Sequence, residues 1–175
     1  MTPPTPPRVT LDIEQSGQPW GSIVVELDPQ RAPLTAENFL RYVDEGYYDG
    51  TIFHRVIATF MIQGGGQTSV NDSKRNGLRP PIQNEAANGL KNVRGAIAMA
   101  RTGDPHSATS QFFINVVDND FLNHPGGDGW GYCVFGRITD GLDVVDRIKD
   151  MPVRSGGERS QPVEPAVIRA ARRLQ

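Results

Sequence analysis

The sequence predicts a mainly β fold, a closed or nearly closed β-barrel with two helices. Three observations lead there. Short runs of alternating apolar and polar residues recur along the chain. Only two stretches switch to helical spacing, and they lie far apart. No strand–helix–strand rhythm connects them, which sets aside a parallel α/β sheet. Nineteen glycines and fourteen prolines among 175 residues supply the turns that many short elements need.

Taken in order, residues 1–7 (Met1-Thr2-Pro3-Pro4-Thr5-Pro6-Pro7) form a Pro-rich tail, expected to be extended and loosely ordered. Residues 8–175 read as one domain, with no internal repeat and no linker. Val9, Leu11 and Ile13 alternate with polar neighbours, then Ile23, Val25 and Leu27 do the same. Gln15-Ser16-Gly17-Gln18-Pro19 between them reads as a turn, so the pair is expected to be a β-hairpin. Pro33 to Glu45 changes period: Phe39, Tyr42 and Val43 recur at helical spacing with Leu40 beside them. Pro33 suits a first turn and Gly46 a C-terminal end, which predicts a helix over 33–45. A second helix is expected over 140–149, with Leu142, Val145 and Ile148 on one face. Asp140 and Asp143 near its start and Arg147 and Lys149 near its end complement the helix dipole.

Strands are expected at 51–57, 60–64, 95–100, 111–117 and 132–138. The Gly-, Asn-, Asp- and Pro-rich stretches 64–81, 101–110 and 118–131 separate them as loops. The C-terminal stretch is ambiguous. Val167-Ile168 could open a closing strand, yet Arg169-Ala170-Ala171-Arg172-Arg173-Leu174 has helical propensity.

Composition narrows the function classes. Net charge is −2 with mixed signs and no basic stripe, so nucleic acid is not expected as a partner. Cys133 is the only cysteine, which excludes an intramolecular disulfide. No run approaches a membrane span, and the N-terminus lacks the apolar core of a signal peptide. The expectation is a cytoplasmic protein, taking the N-terminus as native.

The most informative motif is Phe53-His54-Arg55-Val56-Ile57-Ala58-Thr59-Phe60-Met61-Ile62-Gln63-Gly64-Gly65-Gly66. A cation in so apolar a stretch must be paired or used, because an unpaired buried charge costs several kcal/mol. Composition alone favours a salt-bridged structural arginine. Against that, Gln63 lies eight residues on, close enough to return beside Arg55 across a hairpin. A neutral amide can hold a guanidinium fork without neutralising it. Phe112 and Phe113 must point to opposite faces of a strand, so one of them at most lines a given pocket. The three glycines lack phosphate-loop spacing and read as close backbone approach. His54, His106 and His124 lack zinc-ligand spacing, Cys133 reads as a buried inert thiol, and Ser110 lacks a nucleophile-elbow context. No metal or other cofactor is expected. What remains is an arginine, two amides (Gln63 and Gln111) and an aromatic pocket containing methionine, a set suited to chemistry without proton relay or covalent intermediate.

The chain resembles the cyclophilins, a family of peptidyl-prolyl cis–trans isomerases. Three blocks carry the resemblance: Phe53 to Ile57 with Phe60 to Gly65; Gly95-Ala96-Ile97-Ala98-Met99-Ala100; and Ser110-Gln111-Phe112-Phe113-Ile114 through Phe121-Leu122 to Val134-Phe135-Gly136. Asn84-Glu85-Ala86, His106-Ser107-Ala108-Thr109 and Gly129-Trp130-Gly131-Tyr132-Cys133 are similar to the bacterial cytoplasmic branch. The resemblance implies a closed eight-stranded antiparallel barrel capped by two helices. It implies Arg55 as the catalytic arginine with Gln63 beside it, and Phe60, Met61, Phe113 and Leu122 as the proline pocket. Ala100, Arg101 and Gln111 would meet substrate backbone, and Phe121 and Tyr132 would stand at the pocket rim. Three positions depart from many eukaryotic members: Phe121 replaces Trp, Tyr132 replaces His, and Arg101 replaces Asn. The first two imply weak cyclosporin binding. The implied partners are proline-containing peptides and unfolded or folding proteins, met by a monomer that assists folding. The alternative is a proline-peptide binding module or chaperone whose turnover is incidental.

Overall fold

The computed structural model describes residues 4–154 and 160–174. Residues 1–3 of the Pro-rich tail lie outside the described residues; residues 4–7 carry no regular secondary structure. The expected hairpin is present as β1 (Arg8–Gln15) and β2 (Gln18–Leu27), turning through Ser16 and Gly17 at positive φ. Helix α1 (Pro33–Asp44) follows, with Pro33 in its first turn. Its N-cap, Ala32, has no side chain to cap with, and the Glu85 carboxylate does the work from a distance. It accepts the backbone N–H groups of Leu34 (3.3 Å) and Thr35 (2.8 Å), two of the donors a helix start leaves open.

The remaining strands are β3 (Phe53–Ile57), β4 (Met61–Gly64), β5 (Gln67–Ser69), β6 (Asp72–Ser73), β7 (Ala96–Met99), β8 (Phe112–Asn115), β9 (Val134–Asp140) and β10 (Val167–Leu174). Helix α2 (Leu142–Lys149) lies between the last two. It starts after Gly141, so Asp143 falls in its first turn while Asp140 closes β9. Strands β5 and β6 form a separate small hairpin inside the stretch expected to be loop.

The other eight strands form one antiparallel sheet in the order β10-β1-β2-β9-β7-β8-β4-β3. It curls into a half-barrel that is open, not the closed barrel expected. The edge strands meet only where β10 begins and the chain enters β3. There Ile52 bridges Val167, and Phe53 N–H donates to Ala166 O at 3.0 Å. Farther along, Val56 N–H turns to Ser160 O, also at 3.0 Å. A loop therefore satisfies this edge in place of a continuous ladder, which protects its backbone groups equally well.

The ambiguous C-terminus is a strand. Residues Val167 to Leu174 pair with β1 from Glu14 to Arg8, burying Ile168 and Ala171. That pairing outweighs a helical propensity worth only a few tenths of a kcal/mol per residue. The main core fills the concave side, where Phe39 of α1 meets Tyr48, Phe112 and Phe135 at ring-centroid distances of 5.2–5.7 Å. A second, smaller apolar cluster lies on the opposite face of the same strands. Ile97, Met99, Ile62 and Phe112 belong to the first core, and their neighbours Ala96, Ala98, Met61 and Phe113 to the second. The period-two pleat thus assigns alternate residues of β4, β7 and β8 to two different tasks.

Candidate active site

The second cluster holds the residues expected to form the pocket. Met61, Phe113 and Leu122 form its walls and are at most 7% exposed. Phe60, Ala100 and Tyr132, each half-buried, pack around them. Phe112 sits in the main core, so the two adjacent phenylalanines diverge as expected. At the rim Phe121 is 66% exposed and stacks on Phe60, with centroids 5.6 Å apart. Tyr132 closes edge-on against Phe113 at 5.8 Å.

Arg55 reaches this face because of an irregularity in β3. Phe53 pairs with Gly64 and Arg55 with Gln63, so His54 is the extra residue of a β-bulge. Strict alternation would put Arg55 on the same side as Phe53. The bulge turns it out beside the pocket and brings Val56 into the main core with Phe53. Arg55 Nη1 then donates to Gln63 Oε1 at 3.3 Å, and Gln63 Nε2 donates to Gln111 Oε1 at 2.9 Å. Gln63 also faces Phe113 in register across β4 and β8. Gln63 thereby helps to orient the guanidinium and is itself steadied by Gln111.

Burial and the neighbouring Arg55 push the His54 imidazole down to about 4, so it is neutral at physiological pH. Its Nδ1 is buried with no hydrogen-bond partner among the described residues. Burial likewise pushes the Cys133 thiol up to about 11, in keeping with an inert side chain. His106 accepts a hydrogen bond from Asn84 N–H, and His124 Nδ1 lies 2.8 Å from Trp130 O, so both are structural. Among the described residues no three His, Cys, Asp or Glu side chains converge in a group that could hold a metal ion.

Ala100 packs on the cluster and Gln111 is bonded to Gln63, and the two are joined by Ala100 N–H to Gln111 O at 3.0 Å. The Arg101 side chain does not face the candidate site as a free substrate contact. It is 3% exposed, donates to Asp128 Oδ2 at 2.6 Å and to Gly131 O at 2.9 Å, and lies 4.4 Å from the Tyr132 ring centre. Its hydrogen-bonding fork is already committed, so it braces Tyr132 and the loop before β9. Hydrogen bonds from the Gly131 backbone, from Arg101 and from the Trp130 backbone hold the Asp128 carboxyl well below the usual carboxylate range.

Sequence reasoning missed one group of residues and one consequence of another. The first is a buried amide frame behind the pocket. Asn119 Nδ2 donates to Phe60 O at 3.0 Å and to Asn115 Oδ1 at 2.7 Å; Asn115 Nδ2 donates to Asn92 Oδ1 at 3.1 Å; Asn92 Nδ2 donates to Tyr132 O at 3.3 Å. Phe60 and Tyr132 are thus fixed through side chains to which sequence reasoning assigned no role. Asn119 lies in the loop expected at 118–131, Asn115 in the strand expected at 111–117 and Asn92 ahead of the strand expected at 95–100. The second concerns the glycine run. A Cβ on Gly65 would stand 2.7 Å from the Phe112 ring, and one on Gly66 would overlap Gln111 Cγ and Cδ. The glycines are there for close approach, as expected, and Gly66 makes the space that Gln111 occupies.

The arginine held by Gln63 and the apolar cluster beside it fall within residues 10–173, which match a family model described as cyclophilin type peptidyl-prolyl cis-trans isomerase/CLD. The chain belongs to the cyclophilins. Curated relatives point the same way. The peptidyl-prolyl cis-trans isomerase cyp18 of Streptomyces antibioticus is 59% identical over 168 residues, covering 94% of this chain and 98% of the relative. Peptidyl-prolyl cis-trans isomerase B of Escherichia coli (strain K12) is 56% identical over 85% of this chain and 91% of its own length. Peptidyl-prolyl cis-trans isomerase A of Dickeya dadantii (strain 3937) is 50% identical over 87% and 79%. This cyclophilin is therefore a peptidyl-prolyl cis–trans isomerase, an enzyme of the bacterial type, and the cluster on the outer face is its candidate site for the proline ring. Among the described residues no helix is long and apolar enough to cross a membrane.

Proposed function

We propose that Arg55 is the group that accelerates X–Pro rotation, with Gln63 as its holder. Twisting a peptide bond breaks amide resonance against a barrier of about 18–20 kcal/mol. Uncatalysed X–Pro exchange takes roughly tens of seconds. Reaching milliseconds requires about four orders of magnitude, or about 5.5 kcal/mol. In the twisted state the prolyl nitrogen becomes pyramidal and recovers its lone pair. A donor aimed at that nitrogen favours the twisted state over both planar isomers, which is the differential binding that catalysis needs.

The observation that carries this reading is the Arg55–Gln63–Gln111 chain at the edge of the apolar cluster. The guanidinium stays protonated and takes no part in acid–base chemistry at neutral pH. Met61, Phe113, Leu122 and Phe60 grip the ring, and the dry wall strengthens the hydrogen bond from Arg55. Gln111 and the backbone at Ala100-Arg101 fix the residues beside the proline, so one end turns while the other is held. Phe121 and Tyr132 shape the rim and weaken cyclosporin binding. The working form is a monomeric, cytoplasmic single-domain enzyme (residues 8–175 after a Pro-rich tail) that assists folding proteins.

Arg55→Ala tests the assignment. A preorganised donor of this kind is worth about 2.7–4 kcal/mol, so kcat/KM on an X–Pro peptide should fall about 10²- to 10³-fold. The far-UV spectrum should stay unchanged. Near-normal rates in a proline-limited refolding assay would overturn the role of Arg55.

A further inference from the structure

A groove of about 970 Å³ runs over the same outer face, next to the proline pocket. Its floor is Ala96, Val134 and Gly136 of β7 and β9. Leu90 and Val93 form one wall, and tail residues 4–7 stand along the other. Two features define its character. First, Ala96, Val134 and Leu90 also belong to the apolar cluster of the proline pocket, so the two depressions share one surface. Second, the charges at its rim are largely answered from within. Arg94 forms two 2.9 Å hydrogen bonds with Asp146, Arg137 lies 3.4 Å from Glu26, and Lys91 and Asp28 add one charge of each sign.

The groove remains open with residues 4–7 in place. Pro7 is anchored by its carbonyl, which accepts Leu27 N–H at 2.9 Å, so the tail serves as a wall. The small floor residues let a backbone come close. Val93, 44% exposed, offers apolar surface along the groove. A volume of this size lies at the upper end of the range for specific ligand sites, roughly 300–1,000 Å³.

We infer that this groove is a second client contact, which holds an extended, uncharged apolar segment of the same polypeptide whose X–Pro bond occupies the pocket. The inference rests on the apolar cluster being the proline site. Shared floor residues argue for an occupant continuous with the substrate, and a self-neutralised rim argues against an acidic or basic peptide. The consequence is a preference for unfolded chains over short peptides. A tetrapeptide fills the pocket alone, whereas a longer chain, at about 3.3–3.6 Å per extended residue, can reach both.

Val93→Glu and Val93→Arg test the proposal with charges of opposite sign on an exposed side chain. Each should leave kcat/KM on an X–Pro tetrapeptide unchanged. Each should slow catalysis on an unfolded protein with a proline-limited refolding phase roughly three- to tenfold, because an apolar segment would then desolvate a charge. A photo-crosslinker at position 93 should capture that unfolded client. Equal wild-type and variant rates on both substrates would overturn the inference. So would opposite effects of the two charges, which would identify a charged ligand, or crosslinks solely to a second copy of this chain. Failure of the wild-type tetrapeptide assay would instead strike the proline-site reading.

Discussion

Replacing His54 by Gln should remove most of this enzyme's loss of stability between pH 6.5 and 4. His54 occupies the bulge next to Arg55, and folding holds its imidazole at about 4, mainly by burial and then by the Arg55 charge. In the unfolded chain it titrates near its ordinary 6.5. The unfolded state therefore binds one more proton throughout that window. Stability is complete above the unfolded value, falls as pH drops through the window, and levels off below the folded value. At about 1.4 kcal/mol for each pH unit between the two values, the ceiling lies between about 3 and 4 kcal/mol. Partial access of water to this half-buried ring brings the expectation to about 2–3 kcal/mol. The carboxylates that folding pushes down act in a lower range. Asp44, held low by its hydrogen bond from Arg173, and Asp146, held low by that from Arg94, lose their contributions only as pH falls below the ordinary carboxylate value. Guanidinium chloride unfolding of wild type and His54→Gln at several pH values between 7 and 4 measures the difference directly. Parallel curves for the two proteins would refute the argument, since a solvated imidazole gives no such difference. Because His54 is neutral well above its folded value, wild-type isomerase activity should be flat between about pH 6 and 8.

Gly66→Ala should displace the Gln111 side chain, which is flexible enough to yield, and so break the Gln63–Gln111 bond; kcat should fall while the unfolding midpoint changes little, and unchanged kcat would remove Gln111 from the orienting chain. Phe113→Ala opens the pocket wall and should cost about 3 kcal/mol of stability, the lower end for a buried Phe, because the void opens toward solvent. Its KM for an X–Pro peptide should rise, and an unchanged KM would take Phe113 out of the pocket. Asp128→Asn loosens the Arg101 brace behind Tyr132; KM for proline peptides should rise with kcat little changed, and a steady-state profile identical to wild type would show that the brace has no influence on the rim.

Much of the fold was legible from local patterns. Alternation in residues 9–13 and 23–27 and helical spacing in 33–45 are short-range consequences of chain geometry, and they appear as β1, β2 and α1. The same pleat anticipated that Phe112 and Phe113 would separate. The candidate site residues stood out as a set because one arginine, two amides and several large apolar side chains stood in quotable blocks, and the fold places them near one another. The amide frame did not stand out, since an Asn in a loop and an Asn buried behind a pocket look identical until their partners are placed.

Sequence therefore determined which residues could do the chemistry, and roughly where the strands and helices lie. Tertiary structure decided the rest, wherever the outcome depends on a partner distant in the chain. Pairing with β1 made the C-terminus a strand against its propensity. The loop at 160–166 took the hydrogen bonds that a closed barrel would have used. Asp128 and Tyr132 drew the Arg101 side chain inward, which leaves its backbone as the part that can meet substrate. Above all, the bulge at His54 set the face on which Arg55 emerges: one unpaired residue shifts every later side chain of a strand to the other side, and alternation alone gives no sign of where that will happen.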